Sequence, residues 1–367
     1  MGLSYAFGPR SSAVSSLSWV PSPGQWAEVG LNTLKAIHDA QASTPNSGNA
    51  WYNNFLNAWG SAGYAANYGG LYGSIIVGPS GGHGSYDGND VYAYDIETRL
   101  CSLVVDTYTN TAAGGNSFGE YPDGSPLPPH DWDSKAILPV GTKGTMIVPD
   151  PPTGNADSGA GSNYPHALDL DTLEWTRLGQ FTYSQWHGTA SRDDGRSCIW
   201  YKSQGNISVS PLERLASDFT ITSYPNNNYA LAAYPVATID SRRDKHILWY
   251  GPGLHLFVTD LQDPDTEPSP YTLSSGPGSG QGFQYCQATD RIYAWPGSGK
   301  TVYYLDCQEI EDGSPSWHTE GSSSSATPPS SVNQAANKLR MVPGIGNCLI
   351  GNIVVDEPAW AYRPEGT

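Results

Sequence analysis

Charge is scarce in this chain: Asp, Glu, Lys and Arg make up 14% of 367 residues, against about 25% in an average globular protein. Methionine is scarcer, at three residues. A helical bundle needs long charged faces opposite its apolar stripes, and this composition cannot supply them. No apolar run approaches the about 20 residues of a membrane-spanning helix, so a membrane is not an expected partner. Positive charge is also short. Eighteen Lys and Arg stand against 35 Asp and Glu, a net charge of −17. A surface of that sign repels phosphate, which argues against nucleic acid.

Cys101, Cys198, Cys286, Cys307 and Cys348 are an odd number with no CxxC or CxxH spacing. That excludes a complete disulfide framework and argues against zinc. Each except Cys307 sits in or beside an apolar strand pattern, and the set reads as small buried hydrophobes in a reducing compartment. No metal and no cofactor are expected. The residues up to Val20 lack a basic n-region and an apolar h-region. The expectation is a cytoplasmic chain, or one that leaves without a signal, as virion proteins do on lysis.

What is abundant is glycine (42), proline (29), tyrosine (23) and tryptophan (12). Dense turns with aromatic cross-strand pairs point to many short strands in an all-β chain, which runs to this length as one domain. Internal repeats set its architecture. A short apolar run followed by Gly or Pro occurs at Ser74–Gly78 and Thr145–Pro149, with a related run at Cys198–Tyr201. It recurs at Ile247–Gly251, Ile292–Pro296 and Cys348–Gly351. Most intervals are about 45 to 55 residues, the spacing of propeller blades. The first interval is longer by a polar stretch near residues 106–129.

Each run has a strand upstream, an alternating strand downstream such as Val91–Asp95, and a fourth strand beyond. Two units align residue by residue. Tyr94-Asp95-Ile96-Glu97-Thr98-Arg99-Leu100-Cys101 matches Leu168-Asp169-Leu170-Asp171-Thr172-Leu173-Glu174-Trp175, with Asp and Thr bracketing a tight turn. The expected fold is a six-bladed β-propeller of four-stranded antiparallel blades in a single domain, residues 1–367. Six repeats fill 61–363, and residues 31–60 form an insertion. The last unit ends in a third strand, Pro358–Tyr362, with none behind it. Gln25–Val29, within the segment 1–30, is expected to supply the missing strand and close the last blade.

Gly81-Gly82, then Tyr92 or Tyr94 and an aromatic slot near 101, resembles the kelch and galactose-oxidase-like β-propellers. Gly81–Tyr92 is similar to a first-blade signature of uncharacterised bacterial and phage members. The resemblance implies architecture more than activity. Galactose oxidase chemistry would require a Tyr-His dipeptide, which this chain lacks. Ser191–Cys198 is one imperfect copy of the sialidase turn, at the wrong turn of its unit.

By analogy with such propellers, one face gathers the loops between blades and those joining second to third strands, and that face carries the site. The sequence maps His83, Tyr86, Asp87 and Asn89 there, with His130 and Trp132, Trp186 and His187, and Tyr285. Tyr164, His166, Tyr229 and Tyr234 map there too. Aromatics mixed with Asn, Asp and His suit neutral sugar rings, which need apolar stacking and directional hydrogen bonds. The bland alternative is that they pack between blades. Lys143, Arg192, Arg196, Arg242, Arg243, Lys245 and Arg291 map to the opposite face, so an anionic polysaccharide is not the expected ligand.

The functional expectation is a non-catalytic recognition or attachment propeller, a phage virion or tail-associated protein that contacts surface glycans or other virion proteins. The alternative is a polysaccharide lyase or glycosidase using His83, Tyr86, His130 or His187 as base.

Overall fold

The recurrent apolar runs are second strands, and their neighbours explain their composition. Ser74–Val77, Thr145–Val148 and Cys348–Gly351 are buried at every residue. A strand covered on both faces by adjoining sheets has no solvent side, so it reads as a continuous apolar run. The structure, a computed structural model, describes residues 17–40, 55–56, 60–80, 86, 88–109, 116–129, 135–148, 164–181, 188–192, 198–202, 211–227, 235–278, 282–331 and 338–367.

The strands form six four-stranded antiparallel sheets. After β1 (Gln25–Glu28), the first sheet is β2 (Ala62–Ala65), β3 (Ser74–Val77), β4 (Val91–Asp95) and β5 (Leu100–Val105). The second is β6 (Ala136–Leu138), β7 (Thr145–Val148), β8 (His166–Asp169) and β9 (Trp175–Arg177). The third is β10 (Gly188–Arg192), β11 (Cys198–Lys202), β12 (Leu212–Ala216) and β13 (Ile221–Tyr224). The fourth is β14 (Val236–Asp240), β15 (Lys245–Tyr250), β16 (His255–Asp260) and β17 (Tyr271–Thr272). The fifth is β18 (Gly282–Cys286), β19 (Arg291–Trp295), β20 (Val302–Asp306) and β21 (Trp317–Glu320). The last is composite, with β22 (Arg340–Val342), β23 (Cys348–Gly351) and β24 (Trp360–Arg363) joined by β1.

The expectation of six blades is therefore corrected to five. Sheets made from one unbroken run of four strands number five, and the remaining one takes its outer strand from the other end of the chain. The closure is corrected in place as well. The ring is joined on its inside, where β22 packs against β2. Arg340 fastens that seam: its Nε donates to the Ala62 carbonyl at 2.5 Å, and an Nη reaches the Lys135 carbonyl at 3.0 Å. One side chain so ties the last sheet to the first two. The N-terminal strand lies on the outer edge, with Gln25 opposite Arg363 and Glu28 opposite Trp360. There Trp26, 2% exposed, packs against Trp295 and Tyr362 at centroid distances of 5.4 and 5.0 Å. Its indole N–H donates to the Lys300 carbonyl.

A turn device repeats around the ring. The residue before each second strand is left-handed at Gly73, Gly144, Asp244, Asp290 and Asn347, with φ of 72°, 102°, 55°, 57° and 57°. The first four of these carbonyls accept the N–H that follows the third strand, from Ile96, Leu170, Leu261 and Cys307. An Asp ends each of those third strands. Asp95, Asp169, Asp260 and Asp306 each take a backbone N–H two or three residues on, at 2.7–2.9 Å. The two turns at one end of each sheet are thereby locked together. The two units aligned in sequence share turn conformation and register. Arg99 and Leu173 are both left-handed, and Tyr94–Cys101 and Leu168–Trp175 are equivalent register pairs.

The insertion contributes α1 (Leu34–Asp39), capped by the Thr33 hydroxyl. Ahead of it, Asn32 pairs with the Cys101 backbone in both directions, at 2.6 and 3.0 Å. Together they cover the open edge of β5, which would otherwise invite pairing with another chain.

Candidate functional site: a cleft between the first two blades

The polar stretch that lengthens the first interval is a built loop. Asn116 Oδ1 accepts from Phe118 N at 2.8 Å, and Tyr121 N donates to the Ser125 carbonyl at 2.8 Å. Arg177 on β9 lies 4.0 Å over the Phe118 ring and pairs with Glu120. Buried Asn89 ties this loop to the end of β5. Its amide donates to Ser125 Oγ at 2.7 Å and the Pro126 carbonyl at 3.1 Å, while its Oδ1 accepts Tyr108 N at 2.8 Å. Its own N–H reaches Thr107 Oγ1. All the functional groups of one side chain are spent on holding three segments in register.

These segments and the turn into β9 enclose a cleft of about 560 Å³. Asp106, Tyr108, Asp123, Glu174 and Trp175 line it, with no Lys or Arg among the described lining residues. Tyr108 is braced by stacking on Tyr121, centroids 4.9 Å apart. The Trp175 indole N–H is buried, with no hydrogen-bond partner among the described residues. No hydrogen bond or ion pair engages the Glu174 carboxylate within the described residues. Aromatic surface beside carboxylates suits a polyhydroxylated ring, which stacks on the one and donates hydroxyls to the other.

The residues selected from the sequence fare differently. His83, Asp87, His130, Trp132, Trp186 and His187 lie outside the described residues. Tyr86 is fully buried, donates its hydroxyl to buried Asp90, and packs edge-on against Phe55. Burial, reinforced by the Asp90 charge, pushes its phenol well above the ordinary value. Tyr86 is thus a clasp within the first sheet. Tyr285 is corrected in position. It is the penultimate residue of β18, beside the turn into β19, so it belongs to the opposite face. Its hydroxyl donates to Asp290 at 3.0 Å. His166 is also buried, between the Tyr164 carbonyl and Glu120.

Three further cations lie at the loop-rich end, out of solvent. Lys135, Lys338 and Arg340 sit where inner strands enter from the loop-rich face, and all three are buried. Lys135 Nζ donates to Ser80 Oγ, and Lys338 Nζ to Ser331 Oγ and the Ile353 carbonyl. Desolvation lowers the Lys338 pKa to about 7. On the opposite face, Asp240, Asp290 and Cys307 converge beside a cleft of about 360 Å³. Arg243 already pairs with both carboxylates there, at 2.8 and 2.7 Å, which compensates the charge a cation would seek.

A ring of four-stranded sheets joined through its inner strands, with a cleft between two of them, defines a β-propeller. No family model matches the chain, and no curated protein matches it. Among solved structures, a chain from the crystal structure of a nidogen/laminin complex is similar at 8% identity and a TM-score of 0.44, covering 68% of this chain and 76% of that one. The propeller assignment rests on the strand topology.

Proposed function

We propose that this propeller is a non-catalytic recognition and attachment module of the kelch-like kind, virion- or tail-associated, that holds a surface glycan in the cleft between its first two blades. The observation that carries the reading is the composition of that cleft: Trp175 and Tyr108 beside Asp106, Asp123 and Glu174 in about 560 Å³. Its size suits one or two sugar rings, within the range of small-molecule sites. The enzymatic alternative needs a free base. Of its candidates, Tyr86 already donates to Asp90, with its phenol held high by burial, and His83, His130 and His187 lie outside the described residues.

The test is capture of the purified chain on immobilised glycans, comparing the native protein with Trp175→Ala. Capture lost in the variant, measured well below the variant's own melting temperature because Trp175 also packs on the core, is the expected result. Capture indifferent to Trp175 overturns the cleft as the binding site, and release of new sugar ends overturns the non-catalytic reading.

A further inference from the structure

The chain leaving β23 forms a buried strap, residues 352–355, across the junction of the last sheet and the first. Ile353 and Val354 belong to the apolar cluster of Trp295 and Leu339, and Val355 to that of Tyr94 and Cys101. Two polar contacts reach over the junction. The Val355 carbonyl accepts the Lys35 N–H of α1 at 2.8 Å, and Asn352 Nδ2 donates to Cys101 Sγ on β5 at 3.6 Å. Asn352 Oδ1 is buried with no partner among the described residues, so the strap is held with one polar atom unsatisfied.

The buried Lys338 amine is bonded to this strap. It donates to the Ile353 carbonyl at 3.2 Å and to Ser331 Oγ at 2.8 Å. Ser331 is itself fixed, because its N–H is bonded to the Gly297 carbonyl at 2.7 Å. Two acceptors match the two N–H groups of a neutral amine. An ammonium group adds a third N–H and a buried charge, and no carboxylate pairs with it among the described residues. Desolvation lowers its pKa to about 7. The other charged and titratable groups of the packed elements have their own partners or lie outside. Arg340 is turned to the Ala62 and Lys135 carbonyls, and Lys300 to the Ser324 carbonyl. On α1, Lys35 pairs with Asp39 and His38 meets the Tyr92 hydroxyl. Cys101 takes the Asn352 amide, while Asp356 and Glu357 follow the strap where the chain regains solvent. The lysine's own backbone cannot yield, since a Cβ on Gly351 would stand 2.0 Å from the Lys338 carbonyl. Relief has to come from the strap.

We infer that residues 352–355 form a pH-dependent latch on the seam of the ring: protonation of the Lys338 amine loosens the strap from β5 and α1 while the sheets stay folded. Opening admits water to the amine and takes up a proton, so it becomes more favourable as pH falls and levels off once the closed form is itself protonated. The latch is independent of the glycan reading.

Native-state hydrogen exchange between about pH 6 and pH 9, corrected for the intrinsic rate at each pH, tests it at the Lys35 amide. Protection there should fall about tenfold per pH unit from about pH 9 to 7, then level off. Sub-denaturing urea should hardly change it, because a local opening exposes little surface. The Ile96 and Cys307 amides, locked in turns of the first and fifth sheets, should respond steeply to urea. Lys338→Met should hold the Lys35 protection constant across the pH range. Lys338→Arg, charged throughout, should keep it low even at about pH 9. A Lys35 protection that ignores pH in the native protein overturns the latch, whatever the variants do. So does one that follows urea as steeply as Ile96, because the strap then opens only with the whole fold. A pH dependence that survives Lys338→Met overturns it as well.

Discussion

Arg340 donates to the backbone carbonyl of Lys135 at 3.0 Å across an intervening inner strand, and to Ala62 on that strand at 2.5 Å. The bonds run from a charged donor to buried backbone acceptors, the arrangement in which losing one partner costs most. Arg340→Met keeps the length of the side chain and removes the donors. It is expected to lower unfolding free energy by about 2–4 kcal/mol, read from urea melts. A loss under about 0.5 kcal/mol would show that the seam holds by packing alone.

The outer edge of the composite sheet depends on Trp26 in a comparable way. Trp26→Ala removes a fully buried ring from between Trp295 and Tyr362. A loss of about 3–5 kcal/mol is expected from the cavity and the forfeited transfer energy. Removing the whole segment that carries β1 should also bare the β24 edge and promote self-association, measured by light scattering.

Tyr86→Phe separates clasp from ligand contact. The substitution removes one of the two phenols that hydrogen-bond Asp90, a buried carboxyl already raised in pKa by desolvation. Stability should fall by about 1–3 kcal/mol at neutral pH while glycan binding stays unchanged. Because the Asp90 pKa is raised in the folded state, its contribution is most favourable below about pH 3.8 and is lost as pH rises through the folded value. Weakening the Tyr86 contact should therefore cost more at neutral pH than at acid pH, within the range where the native fold persists.

Lys338 gives stability the opposite dependence. Its pKa falls from 10.5 unfolded to about 7 folded, through desolvation in a buried position. The unfolded chain binds the extra proton between these values, so stability rises with pH from about 7 to 10.5 and is lost as pH falls through 7. Lys338→Met should flatten that rise by up to about 1.4 kcal/mol per pH unit. A wild-type slope retained in the variant would assign the dependence to other groups.

Particular residues show why some features were legible in the sequence and others were not. The runs at Ser74, Thr145 and Cys348 stood out because both faces of a second strand are buried, which writes an unbroken apolar pattern. The Asp95 and Asp169 turns aligned because a short acidic side chain must meet the same backbone N–H in each. The residues before the second strands share a left-handed φ, yet they are Gly, Asp or Asn, so no single letter recurs. Tyr285 was assigned to the wrong face because an error of a few residues along an inner strand moves a side chain from one end of the sheet to the other. Arg340 and Lys135 resemble solvated charges in sequence, and only the convergence of three strands buries them. The cleft is the least legible feature. Its lining runs from Asn89 to Trp175, on segments that Asn89 itself brings together.

Hydrogen exchange with and without a β-1,4-linked glucose tetramer tests the central claim most directly, because it reports where the ligand sits. The account predicts added protection confined to residues 105–109, 123–125 and 173–175, absent in Trp175→Ala. Protection confined to the segments around Lys135 and Lys338, where inner strands begin, with the cleft segments unchanged, would contradict it.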